Sequence, residues 1–356
     1  MKFNFIKIFS FILILMFVLS ACGTVPSSND PDSTEDYIDD SSDIAEDSVD
    51  SEITEDNSAD SETVPDVEDE KKIKNILMIG NSFCYYYVEE LYGIAAADGH
   101  QINVANLYKS GCLLSEHWSA LQNDSKIFEF YIVSDKYRGN RKQLKVPTVK
   151  GALEYAKEEL GSDWDVIAYQ QYFYPHMALN YNMAVDNTMS YAKNFIDYTR
   201  NEHPDSQIYW HQHWAFQVGY GIEARQGDTK IPDVATQTLC YENIKAVCQL
   251  ISEENGVPLV PTGDAWQIAR ADARIGDVLC ARTGTNGNIG DYYHDGDVGG
   301  GQYLNACVWY EVLMKESCIG NTWRPSNYEL SEEKIVALQE AAHAAVAAVY
   351  GEDYAK

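Results

Sequence analysis

From residue 71 onward, short apolar runs alternate with amphipathic stretches. The apolar runs predict strands at 73–79, 101–107, 164–169, 207–211 and 257–260. Apolar residues with helical spacing predict helices at 88–97, 149–160, 183–200, 236–254, 265–273, 303–315 and 331–350. A chain that alternates strands with helices favours a parallel sheet covered by helices on both faces. The sequence therefore predicts an α/β fold, a three-layer α/β/α sandwich with a mostly parallel five-stranded sheet.

Residues 127–147 interrupt this alternation with two strand-like runs in place of a helix. The runs, at 128–133 and 143–146, flank the polar turn 138–141. Two short apolar runs joined by a polar turn are typical of a β-hairpin. We expect one domain over residues 71–356, long enough to bury a sizeable core, with a hairpin inserted near 127–147.

The first 22 residues have the composition of an export signal. Lys2 and Lys7 give a positive start, and the apolar stretch 9–19 that follows is too short to span a bilayer comfortably. The stretch closes with Leu-Ser-Ala-Cys-Gly at 19–23, which resembles a bacterial lipobox. The resemblance implies cleavage before Cys22 and a lipid on its sulfur, which would make the mature protein an outward-facing lipoprotein anchored to a bacterial cell membrane. An ordinary signal peptide with a chance cysteine is the alternative.

Residues 23–70 are expected to form a disordered acidic tether. They contain nineteen Asp and Glu and no Lys or Arg, so they bury too little apolar surface to fold, and their charges extend the chain. Residues 1–70 carry −17 of the total charge of −29, which leaves −12 for residues 71–356. Nucleic-acid binding depends on neutralising phosphates, and a domain this acidic argues against nucleic acid as a partner.

The chain has seven cysteines besides Cys22, and none of them shows the CxxC spacing of a structural zinc site. An odd number leaves at least one of them unpaired if all disulfides are internal. Cys84 and Cys112 lie in the loops after the first two predicted strands, where a disulfide is conceivable. Free buried thiols are the favoured interpretation.

The end of the first predicted strand carries the strongest sign of chemistry. The run Gly-Asn-Ser-Phe at 80–83 follows the apolar residues 76–79 directly. It therefore places the hydroxyl of Ser82 at the carboxyl end of a parallel sheet, where such sheets bind their ligands. Asp291 and His294 lie far downstream in a glycine-rich loop. A serine, a histidine and an acid in these contexts predict acyl transfer through an activated nucleophile.

Four short blocks of the chain resemble the SGNH, or GDSL-type, serine hydrolase superfamily, and within it an SGNH-like subgroup found in bacterial lipoproteins. The blocks are 79–83, 106–112, 164–171 and 291–294, and they occur in the family's order. The resemblance implies a flavodoxin-like strand order and ester hydrolysis with no cofactor and no metal. The chain departs from the family at two positions, because it has Asn81 in place of an aspartate and Gln170 in place of an asparagine.

The resemblance also implies a role for each matched catalytic residue. Ser82 would be the nucleophile, and His294 would take its proton and later return it to the leaving group. Asp291, three residues before the histidine, would orient the imidazole, with Asp295 and Asp297 as rivals for that role.

The oxyanion hole that the resemblance implies comprises Ser82, Gly111 and Gln170. Gly111 would present its backbone N–H, since a glycine lets the backbone approach substrate closely. Gln170 would supply a side-chain amide. Gln171 stays open as an alternative, because side chains alternate faces along a strand.

Aromatic residues are abundant beside these blocks, and the chain has 25 tyrosines. Rings with a polar edge can stack on sugars while they bond to hydroxyl groups. We therefore expect Asn81, Tyr85, Tyr172 and His213 to contact substrate, and a carbohydrate ester is the candidate. Tyrosines that pack beneath loops would account for the abundance equally well.

His211 and His213 alternate at the end of the fourth predicted strand, a spacing compatible with metal ligands. The sequence shows no clear third ligand, although Asp295 or Asp297 could contribute. A metal-dependent hydrolase is therefore the least favoured function, and a place in the substrate cleft or against tryptophan is favoured for both histidines.

Together these features predict a surface-anchored serine esterase that removes acyl groups, such as acetyl, from a carbohydrate or cell-envelope glycan. Its partner would be an acylated small molecule or glycan, with membrane contact only through the lipid anchor. We expect a monomer. A catalytically inactive glycan-binding lipoprotein on the same fold is the main alternative.

Overall fold

The structure is a computed structural model, described here for residues 74–220, 230–277 and 299–356. The predicted signal with Cys22 and the acidic tether lie outside these ranges. The predicted Asp291 and His294 also lie outside them, as do the rival aspartates. Within the described ranges, no helix is both long enough and apolar enough to cross a membrane.

A seven-stranded sheet runs through the described domain. The strands are β1 (Lys74–Gly80), β2 (Ile102–Tyr108), β3 (Glu129–Val133), β4 (Lys142–Leu144), β5 (Val166–Tyr169), β6 (Gln207–His211) and β7 (Leu259–Val260). Their spatial order is β4-β3-β2-β1-β5-β6-β7. The strands β2, β1, β5, β6 and β7 are parallel, in the flavodoxin-like order.

The predicted α/β sandwich is confirmed, with one correction to its sheet. The sheet has seven strands where five were predicted, because β3 pairs antiparallel with the outer side of β2, and β4 pairs antiparallel with β3. The main-chain groups at the free edge of β2 form hydrogen bonds with β3, and the outer edge of β3 forms hydrogen bonds with β4.

Ten α-helices lie within the described residues. They are α1 (Val88–Ala97), α2 (Leu114–Asn123), α3 (Val149–Tyr155), α4 (Pro175–Ala178), α5 (Tyr181–Asp186), α6 (Met189–Glu202), α7 (Val234–Asn255), α8 (Thr262–Ala271), α9 (Gly301–Met314) and α10 (Glu332–Tyr350). One group, α1, α8, α9 and α10, packs together, and α2, α3, α6 and α7 form a second group.

The core lies along β1 and α9. The four apolar residues 76–79 of β1 are at most 1% exposed, as expected for a parallel strand covered on both faces. In α9 every residue from 301 to 313 is buried, which suits a helix without a polar face. Because β1 ends at Gly80, the residues that follow this strand begin directly after a fully buried segment.

Two helical predictions differ from the structure. The predicted helix 183–200 is divided into α5 and α6, because Asn187 ends α5 and its side chain donates back to Met183 O at 2.8 Å. Helix α2 was not predicted from the pattern. Its buried stripe includes His117 at 0% exposure, and a histidine in that stripe hides the apolar spacing.

Candidate active site

The predicted nucleophile lies in a short turn that follows the central strand directly. Residues Ser82–Cys84 form one turn of 3-10 helix, and Asn81 caps it through Oδ1, which accepts a hydrogen bond from Phe83 N at 3.0 Å. Ser82 is 4% exposed. We call residues 80–84 the serine turn.

Gly80 allows the serine turn to pass close to the end of β5. A Cβ at Gly80 would lie 2.7 Å from Gln170 Oε1 and 2.8 Å from Cys84 Sγ, inside van der Waals contact. Both of these side chains are buried and packed. The glycine is therefore required by a close approach between two strand ends.

Asn81 connects the serine turn to the loop that follows β2. Its Nδ2 donates to Cys112 O at 3.1 Å, and the residue is 0% exposed. The sequence predicted a substrate contact for Asn81. The structure instead places both polar atoms of its side chain in hydrogen bonds to backbone, so the residue positions the serine turn.

Gln170 connects the same turn to the end of β5. Its Oε1 accepts a hydrogen bond from Asn81 N at 3.4 Å, and its Nε2 donates to Gln171 O. This bond uses one of the two N–H donors of the Gln170 amide, so the other would have to serve the oxyanion. Gln171 is also engaged, since its Oε1 accepts from Leu114 N at 2.8 Å and its Nε2 donates to Thr188 Oγ1 at 3.3 Å.

Gly111 lies in the loop after β2 with a backbone φ of +61°, the left-handed region that favours glycine. The hydroxyl of Tyr174 donates to its carbonyl at 3.5 Å. The next residue, Cys112, accepts the hydrogen bond from Asn81 described above. The structure thus brings together the loops and turns after β1, β2 and β5, which carry Ser82, Gly111 and Gln170.

His117 stabilises the serine turn through a hydrogen bond to Gly80, a role that the sequence did not suggest. Its Nε2 donates to Gly80 O at 3.0 Å, and its ring stacks on Phe128 at 4.7 Å. Burial lowers the pKa of His117 to about 4, so the ring is neutral at pH 7. The available signal was its spacing from Leu114 and Leu121, which places all three on one helical face.

His213 is fully buried against the Phe83 ring, with centroids 4.2 Å apart. Its Nδ1 donates to Trp214 O at 2.6 Å, and its Nε2 accepts from Phe173 N at 3.1 Å. These bonds fix one neutral tautomer, and burial lowers the pKa to about 4. Backbone groups occupy both ring nitrogens, so the predicted substrate contact would require one of these bonds to break.

His211 is part of a buried chain of hydrogen bonds that ends at a backbone carbonyl. Trp309 Nε1 donates to the Tyr87 hydroxyl at 2.8 Å, which in turn lies 3.5 Å from His211 Nδ1. His211 Nε2 donates to Thr262 Oγ1 at 2.9 Å, and that hydroxyl donates to Gln212 O at 2.6 Å. Burial lowers the pKa of His211 well below its ordinary value.

The hydrogen bonds of His211 and His213 differ from those expected of metal ligands. Each ring of His211 and His213 already has hydrogen-bond partners for both nitrogens. Across the described residues, no cluster of three or more His, Cys, Asp or Glu side chains could hold a metal ion. A metal-dependent mechanism therefore gains no support from this part of the sheet edge.

Two groups of aromatic rings lie on either side of the serine turn. The first centres on Tyr85, whose ring centroid is 4.6 Å from that of Tyr108 and 4.9 Å from that of Tyr131. The guanidinium of Arg141 lies 4.1 Å above the same ring. The group thus combines half-exposed tyrosine rings with a cation, and the substrate contact of Tyr85 stays a prediction.

The second aromatic group centres on Tyr172, which is 8% exposed. Its ring lies 5.7 Å from Phe83 of the serine turn and 4.4 Å from Tyr174. His176 stacks on Tyr174 at 5.5 Å. Because Tyr174 also bonds to the carbonyl of Gly111, this group adjoins the predicted oxyanion loop.

The cysteines beside the serine turn do not have the properties of nucleophiles. Cys84 is buried, accepts a hydrogen bond from Asn106 Nδ2 at 3.0 Å, and has a pKa raised to about 12 by burial. Cys112 is also free and buried, with a pKa raised to about 12 by burial. A thiolate is the reactive form of cysteine, which leaves Ser82 as the candidate nucleophile of the serine turn.

The sequence of the domain matches that of one protein family. The family, described as a domain of unknown function (DUF4886), matches residues 75–345. A DUF4886 family protein from Bacteroides uniformis has a similar structure, with 24% identity and a TM-score of 0.63 over 79% of this chain and 96% of that one. No curated protein matches the sequence.

Two solved lipases overlap with the chain more loosely. Phospholipase A1 from Streptomyces albidoflavus has 12% identity and a TM-score of 0.38 over 68% of this chain and 98% of its own. An extracellular lipase from Streptomyces rimosus has 9% identity and a TM-score of 0.40 over 65% of this chain and 97% of its own. At this level of similarity the chemistry has to be argued from the residues of the chain itself.

Proposed function

The chain belongs to the DUF4886 family, and on that premise we propose that it is a serine esterase that removes acyl groups, such as acetyl, from a carbohydrate or cell-envelope glycan. The observation that carries the proposal is the serine turn. It places Ser82 at the carboxyl end of the central parallel strand, and Asn81 bonds it to the loops after β2 and β5.

In the proposed reaction the Ser82 hydroxyl attacks the carbonyl carbon of the ester. His294 accepts the hydroxyl proton and returns it to the leaving alcohol, and Asp291 orients the imidazole. Water then releases the acyl group from the serine by the same route. The N–H groups of Ser82 and Gly111 and the amide of Gln170 would stabilise the negative oxygen of each tetrahedral intermediate.

Three of the described histidines near the sheet edge, His117, His211 and His213, support this choice of base by what they already bond. His211 and His213 have partners for both ring nitrogens, and His117 donates to Gly80 O. The remaining nitrogen of His117 is buried, whereas a general base has to exchange protons with substrate. We therefore keep His294 as the proposed base.

The aromatic groups beside Ser82 support a carbohydrate substrate. Tyrosine rings can stack on the apolar faces of sugars while their hydroxyls bond to sugar hydroxyls. Tyr85 and Tyr172 lie at the centres of the two groups. Our proposal further includes a lipid anchor at Cys22, an extended tether over 23–70, and a monomer acting on glycans near the outer surface of a bacterial membrane.

A labelling experiment tests the nucleophile in the full-length protein. We expect a fluorophosphonate probe to label the wild type, and we expect Ser82→Ala to abolish labelling and to lower kcat/KM for p-nitrophenyl acetate by about a thousandfold or more. Ser190→Ala is the matched control, because Ser190 is exposed on α6. Equal labelling of the wild type and Ser82→Ala would contradict the proposal.

A glycan-binding protein without esterase activity is the second candidate, and the hydrogen bonds of Gln170 favour it specifically. The amide that should donate to the oxyanion is bonded to Gln171 O. This candidate predicts retention of saccharides with no release of acetate from acetylated xylan. Release of acetate that depends on Ser82 would exclude it.

A further inference from the structure

A cavity of about 590 Å³ lies between α1, the hairpin and the segment that precedes α10. One wall is α1 from Glu89 to Ala97, a second is the hairpin tip at 138–140, and a third is formed by Trp323, Ser326 and Asn327. We call this cavity the hairpin cleft. Its volume falls within the range of about 300–1,000 Å³ that is typical of small-molecule sites.

Glu90 lines the cleft and has a buried oxygen for which the described residues supply no hydrogen-bond partner. Glu90 is 3% exposed, and its Oε1 accepts a hydrogen bond from the Tyr328 hydroxyl at 3.2 Å. Its other oxygen, Oε2, has no hydrogen-bond partner among the described residues. A buried acceptor left without a donor destabilises the folded protein. A ligand that brings a hydroxyl donor into the cleft would remove that destabilisation.

A tryptophan contributes apolar surface to the same cleft. The indole of Trp323 lies so close to α1 that a Cβ at Gly93 would be 2.1 Å from its Nε1. The indole is also parallel to the ring of Tyr303, at an angle of 7° and a centroid distance of 6.2 Å. Because Gly93 has no side chain, the indole of Trp323 can pack directly against α1.

The hairpin wall is tied to α1 next to the cleft. Arg141 N donates to Glu89 Oε1 at 2.8 Å, and the two side chains form an ion pair at 3.2 Å. The guanidinium of Arg141 also lies over Tyr85. These contacts fix the hairpin tip against the helix, so the cavity has walls on separate elements that are bonded to each other.

The charged side chains that line the cleft are of both signs, Glu89 and Glu90 on α1 and Arg138 at the hairpin tip, which suits a neutral ligand better than a charged one. Burial raises the pKa of Glu90 to about 7, so near neutral pH the site only partly holds a negative charge that could attract a cation. Glu89 is already paired with Arg141. An anion would face Glu90 itself. Asn140, Ser326 and Asn327 at the rim offer amides and a hydroxyl that both donate and accept.

We propose that the hairpin cleft is a second ligand site that binds a neutral saccharide unit, with a sugar hydroxyl donating to Glu90 Oε2 and the sugar ring against Trp323. A ring with an apolar face and several hydroxyls matches one indole, one unpartnered acceptor and a rim of amides. The site does not depend on the proposed esterase chemistry. It would hold a glycan chain on the protein whether or not Ser82 acts on that chain.

Isothermal titration with neutral disaccharides tests the proposal in the full-length protein. The probes are cellobiose, maltose, lactose and N,N′-diacetylchitobiose, and we expect at least one to bind. Ala96 is exposed and lines the cleft, so Ala96→Trp should fill it and weaken binding at least tenfold. Ala344→Trp is the matched control, because Ala344 is exposed on α10 and does not line the cleft.

Two further variants test the role of Glu90 as acceptor and the independence of this site from the proposed esterase site. Glu90→Ala should weaken binding of the same disaccharide about tenfold, with an unchanged circular dichroism spectrum as evidence of folding. Ser82→Ala should bind it as tightly as the wild type. The proposal is overturned if none of the four disaccharides binds, if Ala96→Trp and Ala344→Trp bind equally, or if tetramethylammonium binds in the cleft and the disaccharides do not.

Discussion

The serine turn and the α1 wall of the hairpin cleft lie on consecutive parts of the chain, yet the two sites differ in how their buried polar atoms are bonded. In the serine turn, the side chains of Asn81 and Gln170 have partners for both of their polar atoms, and the partners are mostly backbone groups. In the hairpin cleft, one oxygen of Glu90 is buried with no hydrogen-bond partner in the described part of the chain. A closed network fixes the geometry of a reacting group, whereas an open acceptor leaves a hydrogen bond for a ligand to make.

An added methyl group should disrupt the serine turn when it is placed at Gly80, and it should leave the cleft intact when it is placed at Gly93. Gly80→Ala places Cβ 2.7 Å from Gln170 Oε1 and 2.8 Å from Cys84 Sγ, both in buried side chains, so we expect ester hydrolysis to fall about a hundredfold or more as Ser82 shifts. Gly93→Ala makes a closer contact, 2.1 Å from Trp323 Nε1, but Trp323 is a half-exposed side chain that can move. Initial rates with p-nitrophenyl acetate and disaccharide titrations on both variants check the contrast. Loss of hydrolysis in Gly93→Ala, with Gly80→Ala active, would reverse it.

Asn81→Asp tests the closed network directly. Aspartate cannot donate to Cys112 O, and its carboxylate would be fully buried beside that carbonyl. We expect a loss of about 3–4 kcal/mol in the free energy of unfolding at pH 8. Burial should raise the pKa of this aspartate, so the loss should shrink as pH falls and the carboxyl becomes protonated. Urea unfolding at pH 8 and pH 5 measures the difference, and an equal loss at both would be evidence against this account.

Glu90→Gln tests whether the buried carboxylate of Glu90 lowers the stability of the protein. The folded-state pKa of about 7 lies above the ordinary value of 4.5, so the stability associated with protonated Glu90 is present below about pH 4.5 and is lost as pH rises through 7. Glutamine stays neutral, and we expect Glu90→Gln to stabilise the protein by about 2 kcal/mol at pH 8 and by little at pH 5. Thermal unfolding at the two pH values provides the measurement. A stabilisation that is independent of pH would argue against a buried carboxylate.

His117→Gln should have the smallest effect, on the acid limb of the stability profile. The folded-state pKa of His117, about 4, lies below the ordinary value of 6.5, so its contribution is present above pH 6.5 and is lost as pH falls towards 4. Glutamine can donate to Gly80 O without titrating. We expect it to recover about 1 kcal/mol of this loss at pH 5.5 relative to pH 7.5. His213, with a similar pKa, should keep a further acid dependence in the variant.

Much of the fold could be predicted from the sequence, and the site only in part. The buried run at 76–79 and the helical spacing of α7 gave correct elements, because burial on both faces or on one stripe leaves a clear pattern. Helix α2 gave no such pattern, since His117 occupies its buried stripe.

The roles within the site depend on contacts that the sequence does not record. The predicted residues Ser82, Gly111 and Gln170 lie on adjoining strand ends, which follows from parallel topology. Asn81 and His213 bond to backbone carbonyls and N–H groups of distant segments, and these partners cannot be read from a local pattern. Likewise, the hairpin cleft needs Trp323 and Glu90, which are far apart in the chain.

The two outer strands of the sheet are short, and this limits how the protein can meet its own copies. The outermost strands β4 and β7 have three and two residues. On β7, Pro258 O and Val260 O accept hydrogen bonds from the neighbouring strand, while the outward carbonyl of Leu259 accepts from the Tyr350 hydroxyl at 2.5 Å. Exposed strand edges are templates for aggregation. Because the two edge strands leave so few main-chain groups unpaired, molecules crowded together on one surface would have few hydrogen-bonding groups with which to pair their sheets edge to edge.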